Sequence, residues 1–121
     1  MAAKVMNICD IAPYSPIAGM TGRGILGENL QLTYVLFDPG TEVPIHTHPQ
    51  EQIGMLLRGE ATLLVEGEQR QLTGLSGYVI PSGVEHGLRV GSEGAIFVEG
   101  FHPLRQDYVD FDRGVTGVPF Q

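Results

Sequence analysis

A chain of 121 residues with 14 acidic against 7 basic side chains, for a formal charge of −7, is one domain with one core. It offers no basic patch, which excludes nucleic acid and anionic membranes as natural partners. Its apolar runs all fall short of the ~20 residues a membrane span needs.

The first residues lack the apolar core of a secretory signal, and the single cysteine, Cys9, excludes an internal disulfide. Both point to a cytoplasmic, reducing setting, with Cys9 read as a small, at least half-buried hydrophobe. The 17 glycines and 8 prolines accompany 42% hydrophobic residues, so they read as many tight turns and not as disorder.

In chain order, residues 1–22 are broken by Pro13, Pro16, Gly19 and Gly22 and read as an N-terminal arm, with one edge strand near residues 5–8. A barrel is expected over residues 23–103. The first strong strand is 31–37, with Gln31, Thr33, Val35 and Phe37 on one face and Leu32, Tyr34 and Leu36 on the other. Asp38-Pro39-Gly40 is a turn, and 44–48 a short strand stopped by Pro49.

Strands 53–58 and 61–66 are joined by Gly59-Glu60, a pair suited to a type II′ hairpin. A second hairpin at Gly67-Glu68 leads into 69–72. Strands 78–81, 84–90 and 95–101 follow, separated by Ser82-Gly83 and by a turn over 91–94. Residues 104–121 read as a tail that packs on the barrel or on a partner subunit.

Many short strands with glycine turns and no sustained helical period predict an all-β antiparallel sandwich or barrel. Strand 53–58 is apolar on both faces, so one face lines the core and the other calls for a cover. A second copy of the chain, making a homodimer, is the simplest one.

The chemistry concentrates in two blocks. His46 and His48 stand at i and i+2, which on a strand puts both imidazoles on one face, about 6–7 Å apart. Gln52 follows, and the run Gly77 to His86 adds a third histidine. Glu51 is the rival donor to Gln52, but alternation turns it to the opposite face if Gln52 points inward.

These blocks resemble the paired motifs of the cupin superfamily. The first motif is a glycine, five residues, His-x-His, three or four residues, an acid, six residues and a glycine. Gly40, His46, His48 and Gly59 fall in register, with Gln52 where the acid usually stands. The second motif ends in Pro-x-Gly-x-x-His, matched by Pro81, Gly83 and His86, with Val90 in place of a frequent asparagine.

The resemblance covers roughly residues 22 to 108. It implies a double-stranded β-helix, the jelly-roll barrel. It also implies a divalent transition metal (Zn, Ni, Fe or Mn) held by His46, His48, Gln52 and His86. Three neutral imidazoles and a neutral amide leave the charge of such an ion uncompensated, which favours a small anionic organic ligand beside it.

The run Glu99-Gly100-Phe101-His102-Pro103-Leu104-Arg105-Gln106-Asp107-Tyr108 is similar to the Asp-x-Phe-Ser-Pro-x-Arg-x-Asp-Tyr ending of cupins of the pectin-degradation group. That group opens unsaturated monouronates to linear keto-uronates. The likeness implies Glu99 and Arg105 as catalytic residues and Phe101 and Arg105 as substrate-binding ones. His102 replaces the serine, and Glu99 is one methylene longer than the acid.

Arg105 suits a carboxylate because its planar fork donates two parallel hydrogen bonds; a surface ion pair with Asp107 or Asp110 is the plainer alternative. For Glu99 the alternatives are general acid–base chemistry and an inward pairing with Arg23 or Arg89. Three functions follow. The first is a metal-dependent enzyme that isomerises or ring-opens a small carboxylated, sugar-acid-like substrate. The others are a non-haem iron dioxygenase and a non-catalytic small-molecule-binding barrel.

Overall fold

The protein was analysed as a computed structural model that describes residues 2–105. Most of the expected tail, 106–121, with Asp107 and Asp110, lies outside the described residues. Among the described residues, seven antiparallel strands form the fold: β1 (Met20–Leu26), β2 (Gln31–Phe37), β3 (Glu42–His46), β4 (Glu51–Val65), β5 (Glu68–Leu72), β6 (Gly77–Ile80) and β7 (His86–His102). They pair in the order β1-β2-β7-β4-β5, with β3 added to β7 and β6 to β4. Side chains from β1, β2, β3, β4, β6 and β7 line one interior cavity, so the sheet closes on itself as a barrel.

Two long strands organise everything else. The first half of β4 pairs with the second half of β7, through Gln52 opposite Phe101 and Gly54 opposite Glu99. Its second half pairs with the first half of β7, through Ala61 opposite Val90 and Val65 opposite His86. The hairpins expected at Gly59-Glu60 and over 91–94 are therefore absent; in both places the strand bends and runs on.

The physical reason is visible at Gly59 and Gly94. Both have positive φ, +92° and +76°, and a Cβ on Gly59 would collide with the Gly94 carbonyl oxygen. The ladder shifts register on both sides of Gly59. Bulges and glycine kinks of this kind turn the corners of barrels, and they carry the same local signature as a tight turn.

The next reversal is a true hairpin, displaced by one residue from expectation. Glu66 and Gly67 sit at φ 50° and 78° and join Val65 to its partner Glu68. Two consecutive positive φ values give the twist that matches flanking strands.

The arm shows no strand at residues 5–8. Ile8–Asp10 makes a short 3₁₀ turn, with the Asn7 side chain accepting the Cys9 N–H at 2.8 Å, and Cys9 is exposed, not buried. The arm reaches the sheet further on, where Tyr14 bridges Gly22 through backbone hydrogen bonds of 2.9 and 2.8 Å. The buried Tyr14 ring lies where a Cβ of Gly22 would otherwise project.

The core is built from Met20, Val35, Phe37, Leu56, Leu63, Leu72, Ile80, Leu88, Val90 and Phe97. Strand β2 turns Gln31, Thr33, Val35 and Phe37 inward and leaves Leu32 exposed. Polar Gln31 and Thr33 are inward because they have a task there, described next. No helix among the described residues is long and apolar enough to cross a membrane.

Candidate metal centre

His46 ends β3 and is the register partner of His86, which opens β7. His48 lies beyond the strand, because β3 stops at His46 and not at residue 48. Pro44 has no N–H to donate, and the β3–β7 register slips between Val43 and His46. The loop after His46 is pinned instead by the Gly83 N–H, which donates to the His48 carbonyl at 3.0 Å. That contact ties the His46/His48 segment to the turn that delivers His86.

The ring centroids of His46 and His86 are 4.4 Å apart, those of His48 and His86 4.8 Å, and those of His46 and His48 5.6 Å. One nitrogen from each lies within 4.8 Å of the others, close enough for the three to hold one metal ion. His48 and His86 are buried and His46 half-buried.

Each ring is oriented by the same device. Nδ1 of His46 faces the Pro44 carbonyl at 2.8 Å, Nδ1 of His48 the Gln50 carbonyl at 3.0 Å, and Nδ1 of His86 the Val84 carbonyl at 2.9 Å. A carbonyl can only accept, so each Nδ1 carries the proton and each Nε2 keeps its lone pair. This is the outer hydrogen bonding that metal-ligating histidines use.

Gln52 points inward and is buried, whereas Glu51 is exposed on the outer face. Gln52 Oε1 lies 3.1 Å from His48 Nε2. A neutral imidazole has one proton and here meets two acceptors, the Gln50 carbonyl and Gln52 Oε1. With the proton on Nδ1, two lone pairs face each other across that gap. A cation satisfies both at once, and the donor set of three imidazoles and an amide oxygen fits a transition metal.

Above the histidines, Glu99 is buried and accepts the Tyr78 hydroxyl at 2.8 Å. Burial raises its carboxyl above the ordinary carboxylate range, while the Tyr78 hydrogen bond and the Arg105 charge pull the other way. Its electrostatic partner is thus Arg105 and not Arg23 or Arg89. Arg105 is buried, with its guanidinium carbon 5.3 Å from the centre of the Phe101 ring. Phe101 in turn meets His48 edge to face at 5.8 Å.

Two buried glutamines hold the peptide that carries Arg105. Gln31 Oε1 accepts the Arg105 N–H at 2.9 Å, and Gln50 Nε2 donates to the Leu104 carbonyl at 3.0 Å. Gln31 is itself fixed by donating to Thr33 at 3.0 Å. Sequence reading missed Gln31, Gln50 and Tyr78; the signal available for the first was the polar pair Gln31/Thr33 on the face that continues into Val35 and Phe37.

His46, Gln52, His86, Glu99, Phe101 and Arg105 line one cavity of about 40 Å³, with His48 behind Gln52. That volume takes an ion and a water, not a sugar acid. Outside it lies a groove of about 250 Å³ edged by Pro16, Ile17, Pro44, His46 and Arg105. Phe97 is core, edge-on to Phe37 at 5.6 Å, and His102 is exposed on the outer side.

Burial, opposed by the Val84 hydrogen bond, lowers His86 from 6.5 to about 4; burial and then the Arg105 charge lower His48 as well. In the unfolded chain these rings take protons near 6.5, and in the folded metal-free protein only at lower pH. Between 6.5 and about 4 the unfolded state binds more protons, so stability falls as pH drops through that window. The melting temperature of chelator-stripped protein should decline over this range, and His86→Gln should flatten the decline. Parallel curves for the two proteins would mean that His86 titrates alike folded and unfolded.

Residues 33–99 match the cupin domain family. Among curated proteins, the pectin degradation protein KdgF of Dickeya dadantii (strain 3937) is 27% identical over 105 residues, covering 84% of this chain and 96% of that protein. The H2HPP isomerase of Bacillus subtilis is 35% identical over 80 residues, covering 65% of this chain but only 30% of that protein. The solved structure of KdgF from Halomonas sp. superposes with a TM-score of 0.81 at 23% identity, covering 88% of this chain and 99% of that one. With a family match over more than half its length and the antiparallel barrel described above, this chain belongs to the cupin domain family.

Proposed function

We propose that this cupin is a metal-dependent enzyme that isomerises or ring-opens a small carboxylated, sugar-acid-like substrate. One observation carries the reading. His46, His86 and Gln52 share a single cavity with a buried carboxyl, Glu99, and a buried guanidinium, Arg105, and His48 completes the histidine cluster. The similarity to KdgF along nearly its whole length supports the same substrate class.

In this reading His46, His48, Gln52 and His86 hold a divalent transition metal, which supplies Lewis acidity toward a substrate oxygen. The substrate lies in the outer groove, its carboxylate on the Arg105 fork, which opens into both spaces. Phe101 backs that guanidinium.

Opening a cyclic hemiacetal removes a proton from its hydroxyl and breaks the ring C–O bond. Where the ring oxygen is borne by the alkene carbon, the cleavage leaves an enolate, and ketonising it returns the proton to carbon. The sum is an isomerisation, so one group that alternates between base and acid suffices. Glu99 is assigned that role: it lines the inner cavity and not the groove, so it acts through the water that cavity can hold, its affinity for a proton already raised by burial.

The exposed apolar surface supports a partner. Leu32, Ile53, Met55 and Val79 are 47%, 53%, 41% and 63% exposed on the outer face of β2, β4 and β6. A second copy of the chain in a cytoplasmic homodimer covers them. The test of the enzymatic reading is incubation of metal-loaded protein with a panel of unsaturated uronates, following loss of their alkene absorbance. Loss well above the spontaneous rate is expected. A rate equal to the blank across the panel removes this substrate class, and oxygen uptake with ferrous iron would turn the assignment to a dioxygenase.

A further inference from the structure

With His46, His48, Gln52 and His86 taken as the metal centre proposed above, we infer that Tyr78 is a positioning residue that sets the orientation of the Gln52 amide. Gly54 makes room for it to do so.

A primary amide has two ends of similar size, and only the oxygen can ligate a cation. Rotating the group by half a turn costs little in itself, so its partners decide which end faces the histidines. Tyr78 donates its hydroxyl proton to Glu99 Oε1 at 2.8 Å. Toward Gln52 that oxygen presents a lone pair and can be met only by N–H. Gln52 Nε2 donates to it at 3.4 Å, which turns Oε1 toward His48 Nε2 at 3.1 Å.

Without a cation, the local preference at His48 is the reverse. An amide N–H aimed at the Nε2 lone pair would make a hydrogen bond, whereas the oxygen makes none. The Glu99–Tyr78 pair thus holds Gln52 against its immediate neighbour. A sequence that sets one contact against another in a buried site does so for function more often than for stability.

The sheet register explains how Tyr78 reaches. Gly54 on β4 is the partner of Tyr78 on β6 and of Glu99 on β7, one on either side. The Tyr78 hydroxyl must cross Gly54 to meet Glu99, and a Cβ at residue 54 would overlap the hydroxyl and the ring carbon that bears it. A glycine in mid-strand is otherwise a weak choice.

Tyr78→Phe keeps the ring and removes only the hydroxyl. Zinc affinity, measured at neutral pH by competition with a chromophoric chelator, should fall about 10- to 100-fold, as for other outer-shell losses. The same change made on top of Gln52→Glu should shift affinity no more than about twofold, because a carboxylate presents oxygen whichever way it turns. Equal losses in both backgrounds would make Tyr78 a packing residue and overturn the inference, as would no loss in either. Wild-type protein that takes up no zinc would sink the metal-centre reading and this inference together, whereas zinc uptake indifferent to Tyr78→Phe sinks the inference alone.

Discussion

His86→Ala should strip the metal from the protein. The residue supplies one of the three clustered ring nitrogens, and His46 lies directly across the ladder from it. Removing a ligand costs more than disturbing an outer partner, so affinity should drop by more than ~100-fold. Elemental analysis of purified protein should give about one divalent ion per chain for wild type and a small fraction of that for the variant. His48→Ala should behave alike. Both rings are buried, so each variant must also be shown to keep its β-sheet circular dichroism. Unchanged metal content in folded variants would dissolve the site.

Arg105→Ala should separate two quantities that most substitutions move together. Charge-assisted hydrogen bonds are worth about 1.5–3 kcal/mol, so KM for an anionic sugar should rise roughly 10- to 100-fold while binding of neutral sugars barely changes. Arg105→Lys should recover little of this, because an ammonium lacks the planar two-pronged geometry. The metal should respond in the opposite sense. The Arg105 charge lowers the proton affinity of both His48 and His86, which means it places positive potential at those rings. Its removal should therefore tighten metal binding. Equal loss for anionic and neutral sugars, with looser metal, would reduce Arg105 to a structural role.

Several parts of the site could be read from residue order because they depend on local rules. Alternation along β4 sends Gln52 in and Glu51 out, and alternation along β7 puts Phe97, Glu99 and Phe101 on one buried face. The glycine at 59 was legible as a special backbone position but not as a corner. Positive φ is a property of one residue, whereas reversal or continuation of the chain depends on what lies across the ladder, here Gly94. Pro49 was similarly legible as a stop, yet not the earlier end of β3 that leaves His48 on a loop tied to Gly83.

Residue order alone determined that this is an all-β chain with three histidines spaced for one ion, a glutamine beside them, and an acid and an arginine downstream. The all-β reading follows from short-range periodicity and glycine turns, whereas the grouping of the site residues follows from the resemblance to the cupin motifs. Only the tertiary structure decided that two unbroken strands carry the barrel, that Gln31 and Gln50 hold the peptide of Arg105, and that Tyr78 crosses Gly54 to reach Glu99. Those contacts join residues 21 to 74 positions apart, and which of them form is settled by how the whole sheet closes.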